Sequence, residues 1–168
     1  MNSLSDTHVK LLAFDLLSLK PSSLNPTTIL KPTTKTPITR IETVGIVTLC
    51  DLKPDKFLKF CIDDGTGCIP CVLWLNHLTS PYFSRHCPPS VRSLAENARK
   101  FASLVQVGCL VRVRGKVGVF RGCVQVNVGD VFVERDVNAE ILHWLQCVRL
   151  GRVCYDGARV DDDKMIID

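Results

Sequence analysis

Two short runs of alternating apolar residues flank a glycine-rich turn near the middle of the chain. In Phe57–Asp63, apolar residues alternate with polar or small ones, which is the period of a half-buried strand. The turn that follows reads DDGTG, and both Asp and Gly favour tight turns. Cys68–Trp74 then returns as a second strand. The segment therefore predicts a β-hairpin, which directs the chain towards folds that are built from antiparallel strands.

Three further segments have the composition and the alternation of strands. They are residues 41–49, 109–117 and 123–134. Gly45 interrupts the first of them, and a glycine inside a strand often marks a bend or a bulge. Gly129 and Asp130 interrupt the last one, and a bulge at this point is expected to bring Val131 and Val133 to the inner face.

Two segments have helical periodicity instead. Residues 91–105 repeat apolar residues at i, i+3, i+4 and i+7, with Ser93 and Glu96 spaced as a capping box. Asn138–Leu150 forms a second helix that is expected to end at Gly151. Five strands, with one helix between the third and the fourth and an extra C-terminal helix, predict an all-β domain with flanking helices, a five-stranded OB-fold barrel. An SH3-like barrel or an incomplete sandwich is the alternative.

The two ends of the chain differ in composition from the strands between them. Residues 1–39 contain an amphipathic segment at 7–19 and a Pro/Ser/Thr-rich stretch at 20–39, which we expect to be a linker or an extended arm outside the core. The OB-fold domain with its C-terminal helix is expected at 40–151. Residues 152–168 form an acidic tail, so the preceding part is more basic than the overall net charge of +4. This charge distribution is compatible with a nucleic-acid partner and equally with an ordinary solvated surface.

The CxxC of Cys68 and Cys71 has the spacing of a metal site, but the sequence completes neither a metal site nor a catalytic one. Cys68 and Cys71 are three apart in a strand, so their side chains point to opposite faces, and no second pair completes a zinc site. Asp63 and Asp64 belong to a turn in which Asp is favoured by its backbone hydrogen bonds. The motifs of phosphate-binding loops, serine hydrolases and zinc proteases do not occur. We therefore expect a protein that is not an enzyme and that has no cofactor.

The chain has nine cysteines, which is an odd number. Most of them lie in the apolar strand patterns, namely Cys50, Cys61, Cys71, Cys109 and Cys123. No secretory signal is visible, and the first apolar stretch is interrupted by Lys10 and Asp15 and is too short to span a bilayer. We therefore expect no membrane association and a reducing compartment, with thiols that are free and buried as small hydrophobes.

A basic strand face and two aromatic residues suggest a nucleic-acid interface. Arginine and lysine alternate along the fourth strand with the valines that must fill the barrel. Phe120 lies at the loop between the fourth and fifth strands, which in OB domains borders the ligand groove. Cations along a groove together with aromatic platforms are what single-stranded nucleic acid requires. The candidate contacts are Lys59, Trp74, Arg112, Arg114, Lys116, Phe120 and Arg121. The simpler interpretations are a solvated strand face for the cations, and core or partner packing for Trp74.

The last helix carries a broad apolar stripe. Two interpretations remain for it: the helix closes the open end of its own barrel, or it packs against a partner helix. The candidate partner-binding residues are Ile141, Leu142, Trp144, Leu145 and Val148.

Three segments of the chain resemble a known family. They read VGIVTLCDLKPDKFLKFCIDDGTGCIPCVLWLN, LVRVRGKVGVFRG and ERDVNAEILHWLQCVRL. They are similar to the plant Stn subunits of the CST telomere-capping complex, a family that is paralogous to the middle subunit of replication protein A. The resemblance covers residues 7–155. It implies a nuclear protein at the telomeres of chromosomes, in a heterotrimer with a small Ten-type OB subunit and a large multi-OB subunit.

The resemblance also implies a function. A Stn subunit is expected to bind single-stranded DNA, to protect telomere ends and to support complementary-strand fill-in by DNA polymerase alpha–primase, with its last helix packed against the Ten-type partner. The alternatives are an adaptor that only joins partner subunits, and a replication protein A-type subunit. The C-terminal winged-helix domains of animal and fungal members are not expected here. Val137 stands where the family pattern has proline, which bears on where the last helix starts.

Overall fold

The computed structural model describes residues 7–25, 28–32, 35–80 and 89–155. The expectations for residues 1–6 and for residues 156–168 of the predicted tail (152–168) lie outside these ranges. The strands are β1 (His8–Lys10), β2 (Lys20–Pro21), β3 (Ile29–Leu30), β4 (Arg40–Lys53), β5 (Phe57–Asp63), β6 (Cys68–Trp74), β7 (Leu110–Phe120) and β8 (Cys123–Val133). The α-helices are α1 (Ala13–Leu17), α2 (Pro89–Leu104) and α3 (Asn138–Leu150), and a π-helical turn, Gly151–Tyr155, follows α3.

Strands β4 to β8 close into a barrel. β4 pairs antiparallel with both β5 and β7, β5 pairs with β6, and β7 pairs with β8. The barrel closes where β6 and β8 pair in parallel, through Cys71 with Val126 and Val72 with Asn127. Helix α2 connects β6 to β7, and α3 follows β8. This confirms the predicted OB-fold barrel with its inserted and C-terminal helices, and β5, β6 and α3 have the predicted bounds.

The inward-facing side chains of the barrel strands form the core. Alternation places every second residue of β5 inside, so that Leu58, Phe60 and Ile62 are buried while Lys59 is exposed. Valines of β7 and β8 meet them from the opposite wall, with Val113 and Val126 fully buried. Each such side chain contributes roughly 1.5–3 kcal/mol to folding. The same alternation therefore leaves one outward-facing surface on each strand for other roles.

Gly45 allows two strands to approach closely. A Cβ at this position would lie 2.6 Å from the main-chain oxygen of Asp63 on β5, so a larger residue would push the strands apart. The irregularity in the β4–β5 register lies a few residues later, between Val47 and Leu49. The expected disturbance is therefore present in this strand, but Gly45 itself marks the close approach and not the bulge.

Gly129 is the extra residue of a bulge in β8. The register with β7 passes from Arg114 opposite Asp130 to Gly115 opposite Val128, which leaves Gly129 without a partner. This confirms the predicted bulge. Val131 returns to the inner face and is 1% exposed, whereas Val133 is 37% exposed. The prediction for Val133 is wrong because Val133 is the last residue of β8, where it pairs with Val111 but is not covered by the core.

The N-terminal segment is part of the folded unit. β1 pairs in parallel with β4, and α1 buries Ala13 and Leu16 in the same core as the barrel. β2 and β3 form a small separate hairpin. Ile29 and Ile38, which are 6% and 3% exposed, also belong to the core. The expectation that residues 20–39 contribute nothing to the core is therefore wrong, because this Pro/Thr-rich stretch still inserts two isoleucines.

Helix α2 starts earlier than its sequence pattern indicates. Its first residue is Pro89, and proline suits a first helical position because its missing N–H has no acceptor there. Ser93 therefore lies inside the helix, and the predicted capping box with Glu96 is wrong. Leu94, predicted for the apolar face, is 54% exposed. Helix α3 does begin at Asn138, whose main-chain N–H donates to Asp136 Oδ1 at 2.9 Å.

Candidate nucleic-acid interface

Three aromatic rings lie together on the outer surface of the barrel, and we call Phe57, Trp74 and Phe120 the aromatic patch. Phe57 and Trp74 are direct cross-strand partners on β5 and β6. Their ring centroids are 6.1 Å apart, with the planes at 82°. Phe120 joins them through Lys59, whose Nζ lies 4.9 Å from the Phe57 centroid and 5.9 Å from that of Phe120. Trp74 and Phe120 remain 43% and 52% exposed, so these rings present apolar surface to solvent.

Cations surround two of the three rings. The Lys53 Nζ lies 5.5 Å from the Phe57 centroid, and the Arg121 guanidinium carbon lies 5.2 Å from that of Phe120. We call Lys53, Lys59 and Arg121 the basic rim. At these distances the cations interact with the negative faces of the rings. The patch and the rim together provide stacking surfaces next to positive charge, which is the chemistry that binds single-stranded nucleic acid.

The β7–β8 turn places Phe120 and Arg121 beside this surface. Arg121 and Gly122 have φ values of 51° and 80°, and two consecutive residues with positive φ are typical of a tight two-residue hairpin turn. The turn makes Phe120 and Cys123 the last pair of the β7–β8 ladder. Phe120 therefore leaves the ladder on the outer face, and the Arg121 side chain is directed over its ring.

The structure brings four of the seven predicted contacts together: Lys59, Trp74, Phe120 and Arg121. Phe57 and Lys53 also belong to this surface, although they are not among the predicted contacts. A signal for Phe57 exists in the sequence, because it has the opposite strand parity to the core residue Leu58 and must face outward. For Lys53 the sequence contains no comparable signal, since its position depends on how far β4 extends.

Arg112 and Arg114 lie elsewhere, around a buried carboxylate. Glu42 of β4 is 2% exposed, and its two carboxylate oxygens accept from Arg112 Nη1 at 2.8 Å and from Arg114 Nε at 2.7 Å. Arg112 Nε also donates to Glu134 at 2.6 Å, and Lys10 Nζ is 3.2 Å from Glu42. We call this set, centred on Glu42, the carboxylate cluster.

The carboxylate cluster keeps Glu42 ionised. Burial alone would raise the pKa of Glu42, but the hydrogen bonds from Arg114 and Arg112 and the charge of Lys10 outweigh it and lower the pKa to about 2. The two arginines are therefore paired with carboxylates on the side of the barrel that β1 covers, and we do not place them in a DNA groove. Lys116, the third cation of the predicted row, is exposed and stands between Arg40 and Asn127 in the ladder.

Helix α3 contacts the barrel with the face opposite to its apolar stripe. The buried residues of the helix are Ala139, His143 and Cys147, spaced four apart on one face. The stripe residues point outward: Ile141 is 61%, Leu142 54%, Leu145 65% and Val148 46% exposed. A helix that closed its own barrel would bury this stripe, so that interpretation is wrong. A shallow hollow lies beside the stripe and is lined by Trp144, Leu145, Val148, Arg149, Arg152 and Val153.

Polar contacts hold the inner face of α3 against the N-terminal segment. His143 is fully buried, and its Nε2 lies 3.4 Å from the Leu11 carbonyl oxygen and 3.3 Å from Cys147 Sγ. Burial lowers the pKa of His143, which favours the neutral ring. Lys10 Nζ donates to Gln146 Oε1 at 2.6 Å. Residues 10–11 therefore hold the buried face of α3, and the apolar stripe on its other face is exposed to solvent.

The cysteines are more exposed than their sequence positions indicate. The eight cysteines within the described ranges are free thiols. Cys71 and Cys147 are buried, but Cys50 and Cys123 are exposed, so the expectation that these strand cysteines are buried is wrong for both. Cys123 is the first residue of β8, directly after the β7–β8 turn. Cys68 is exposed while Cys71 is buried, in agreement with side chains on opposite faces.

The described residues contain no group of three or more His, Cys, Asp or Glu side chains that could hold a metal ion. Of the helices that the structure describes, not one has the length and the apolar content needed to cross a lipid bilayer.

Comparisons with known sequences find an OB-fold domain model and relatives among CST and replication protein A subunits. The family model of the OB-fold nucleic acid binding domain matches residues 41–134. The CST complex subunit STN1 of Arabidopsis thaliana is 48% identical over 155 residues, which cover 91% of this chain and 94% of that protein. The STN1 subunit of Bos taurus is 27% identical over 71% of this chain, which spans 35% of the bovine length. One of the 32 kDa subunits of replication protein A from Arabidopsis thaliana is 29% identical over 66% of this chain and 33% of that protein.

Two solved structures share the fold over most of the chain. A chain in the crystal structure of the S. pombe Stn1–Ten1 complex matches with a TM-score of 0.64 and 19% identity, over 85% of this chain and 90% of that chain. A chain of a replication protein A heterotrimer bound to single-stranded DNA matches with a TM-score of 0.65 and 17% identity, over 88% of this chain and 97% of that chain. These likenesses show the fold, and the family follows from the plant sequence. With an OB-fold nucleic acid binding domain and 48% identity to the Arabidopsis subunit over nearly its whole length, the chain belongs to the STN1 family of CST complex subunits.

Proposed function

We propose that this chain is a non-enzymatic CST subunit that binds single-stranded DNA at the aromatic patch and a small Ten-type OB subunit at the apolar stripe of α3. The observation that carries the DNA part is the juxtaposition of Phe57, Trp74 and Phe120 with three cations on one face of an OB barrel. Stacking on such rings contributes roughly 1–3 kcal/mol per base and depends little on sequence.

The charge distribution favours weak binding by this subunit alone. The basic rim has three cations, and they stand beside the rings rather than in a continuous track. For about three phosphate contacts, the log–log salt slope is expected near −2, at about −0.7 per contact for single strands. Higher affinity then requires further contacts, which we attribute to the large multi-OB subunit of the complex.

The apolar stripe supports the partner part of the proposal. Ile141, Leu142 and Leu145 are each more than half exposed on a helix whose other face is already packed. Exposed apolar surface of this breadth marks an interaction site more often than an ordinary solvated surface. The solved S. pombe relative is a Stn1–Ten1 complex, which supports a small Ten-type OB subunit as the occupant.

Family membership supports the wider role. A CST subunit is expected in the nucleus at the telomeres of chromosomes, where the heterotrimer protects telomere ends and supports fill-in by DNA polymerase alpha–primase. The second candidate is an adaptor that only joins the other subunits, and the exposed stripe favours it because partner docking alone would explain that surface. A replication protein A-type role is the third, and the likeness to a replication protein A chain is its support.

Fluorescence anisotropy with a labelled oligothymidylate distinguishes the first two candidates. The complex of this chain with its small partner is measured over a salt series, and then the full complex. Trp74→Ala should weaken binding by roughly 1–3 kcal/mol with an unchanged salt slope. Lys59→Ala should flatten the slope by about 0.7.

Matched controls lie outside the patch: Phe14→Ala, at a ring that is 72% exposed on α1, and Arg92→Ala, at an exposed cation on α2. Neither control should change affinity or slope. If Trp74→Ala and Lys59→Ala behave like the controls in the full complex while the fold is intact, the chain is an adaptor.

A further inference from the structure

Trp74 is held by a side-chain hydrogen bond from a neighbouring strand. Its indole Nε1–H donates to Asn127 Oδ1 on β8 at 3.4 Å. An indole nitrogen is only a donor, so the amide oxygen must face the ring and the amide Nδ2 must point the other way. The contact crosses the parallel pairing of β6 with β8, in which Asn127 is the partner of Val72.

Gly118 leaves the space that the Asn127 amide occupies. Gly118 lies on β7, where Lys116 is the direct partner of Asn127 and Gly118 is two residues further along. A Cβ at Gly118 would lie 2.7 Å from Asn127 Nδ2, well inside contact distance. Because the obstructing atom is the end of a flexible side chain, an alanine here should leave the barrel intact and displace the amide.

Trp74 differs from the other rings of the aromatic patch. Cations lie within 6 Å of the centroids of Phe57 and Phe120, at distances from 4.9 to 5.9 Å. Among the described residues, the cation contacts include none with the Trp74 ring. Its neighbours are the Phe57 ring of the patch and the Asn127 amide. Trp74 is therefore the ring of the patch that has no cation contact among the described residues and whose one polar hydrogen is already bonded.

We propose that Asn127, seated in the gap at Gly118, is a positioning residue that fixes the Trp74 indole for stacking and removes its N–H from contact with bases. This inference rests on the proposed DNA-binding function and adds two residues to it. An indole fixed in advance loses less side-chain freedom when a base stacks on it, which is worth roughly a two- to tenfold gain in affinity. With the N–H occupied, the ring offers a base only its face, so the site should accept different bases alike.

The test measures anisotropy of a labelled oligothymidylate with the full chain in complex with its small partner. Asn127→Ala and Gly118→Ala should each weaken binding by roughly two- to tenfold with an unchanged salt slope. The double variant should bind DNA no more weakly than the weaker-binding single variant, because both substitutions act on the same amide. In a Trp74→Phe background, which has no indole N–H, Asn127→Ala should have no further effect.

NMR monitors the hydrogen bond between the Trp74 indole and Asn127 directly. The ¹H–¹⁵N resonance of the Trp74 indole, identified by its loss in Trp74→Phe, should move in both Asn127→Ala and Gly118→Ala. Asn97→Ala, at an exposed position of α2, and Gly129→Ala, whose Cβ would lie 3.8 Å from the Arg114 oxygen, are the matched controls. Neither control should move that resonance or change affinity.

Two outcomes overturn the inference while leaving the proposed function in place. One is that Trp74→Ala weakens binding but Asn127→Ala and Gly118→Ala do not. The other is that Asn127→Ala weakens binding equally in the Trp74→Phe background, which would mean that Asn127 acts without the indole. If Trp74→Ala itself has no effect on binding, the proposed DNA-binding function fails, and the inference fails with it.

Discussion

The indole Nε1–H of Trp144 donates to the main-chain oxygen of Asp64 at 3.0 Å, which bonds α3 to the β5–β6 turn. The carboxylate of the same aspartate is buried and accepts from the main-chain N–H of Ala13 at 2.7 Å, at the start of α1. It also accepts from the N–H and hydroxyl of Thr66 at 2.9 and 2.7 Å. Asp64 therefore joins the first helix, the hairpin turn and the last helix.

Asp64→Ala should lower the free energy of unfolding by about 3 kcal/mol, because it removes a charged acceptor and leaves the Ala13 N–H buried without one. For a chain of this size the melting temperature should fall by about 6–12 °C. Thermal denaturation followed by circular dichroism measures the change. The control is Asp63→Ala, which removes an exposed bond to the Gly65 N–H. Equal losses for the two variants would contradict this role of Asp64.

The carboxylate cluster should make stability fall in acid. The pKa of Glu42 is lowered from 4.5 to about 2, so its contribution is fully present above pH 4.5 and is lost as the pH falls towards 2. The contribution at neutral pH is about 3 kcal/mol. Glu42→Gln should therefore be less stable at pH 7 and show a flatter stability profile between pH 5 and pH 2, measured by urea denaturation. Glu96→Gln, at an exposed position of α2, should leave the profile unchanged.

Arg114→Ala should reduce stability without changing the salt dependence of DNA binding. Its Nε bonds the buried Glu42 at 2.7 Å, so removal leaves part of that carboxylate unpaired, at a cost of about 1–3 kcal/mol. Urea denaturation and the anisotropy salt series together measure both effects. A flattened salt slope with unchanged stability would show that Arg114 meets phosphates after all.

Leu145→Glu should abolish co-purification with the small Ten-type subunit while the chain stays folded. Leu145 is 65% exposed, so the glutamate is solvated in the free chain but would lie unpaired in a buried seam of the complex. Loss of binding by about 2 kcal/mol or more is typical of a central interface residue. The matched control is Leu24→Glu, at a leucine that is 95% exposed. Normal partner binding by a folded Leu145→Glu chain would exclude the stripe as the docking surface.

Thiol labelling should separate the cysteines into fast and slow classes. Burial raises the pKa of Cys71, and it raises that of Cys147 to about 12, so both thiols are inaccessible and protonated at neutral pH. Cys50, Cys68, Cys123 and Cys154 are exposed and should react with iodoacetamide before the two buried thiols, as measured by peptide mass spectrometry. Guanidinium should abolish the difference. Stoichiometric zinc in elemental analysis would contradict the assignment of free thiols.

The strand order and the core were predictable because strand alternation is a local signal that the barrel preserves. Lys59 and Phe120 could be placed on the outer surface for the same reason. The role of an outward-facing residue depends instead on distant partners. From the sequence alone, Arg114 is predicted to face solvent. In the structure β4 places Glu42 beside it, although the two residues are 72 positions apart in sequence. Likewise, the stripe of α3 has the composition of a core-facing surface, and only the packing of His143 against the Leu11 carbonyl shows that the opposite face is buried.

The barrel closes between β6 and β8 through two residue pairs. This ladder is shorter than the one that the eleven-residue strands β7 and β8 form with each other. Local opening free energies differ between parts of a protein, and we expect amide hydrogens along this short seam to exchange early in the free protein. Trp74 and Asn127 stand on opposite sides of the seam, and their side chains are bonded across it. A DNA strand stacked on the indole would therefore add a contact at this seam, and amide exchange at Val72 and Asn127 should slow when DNA binds.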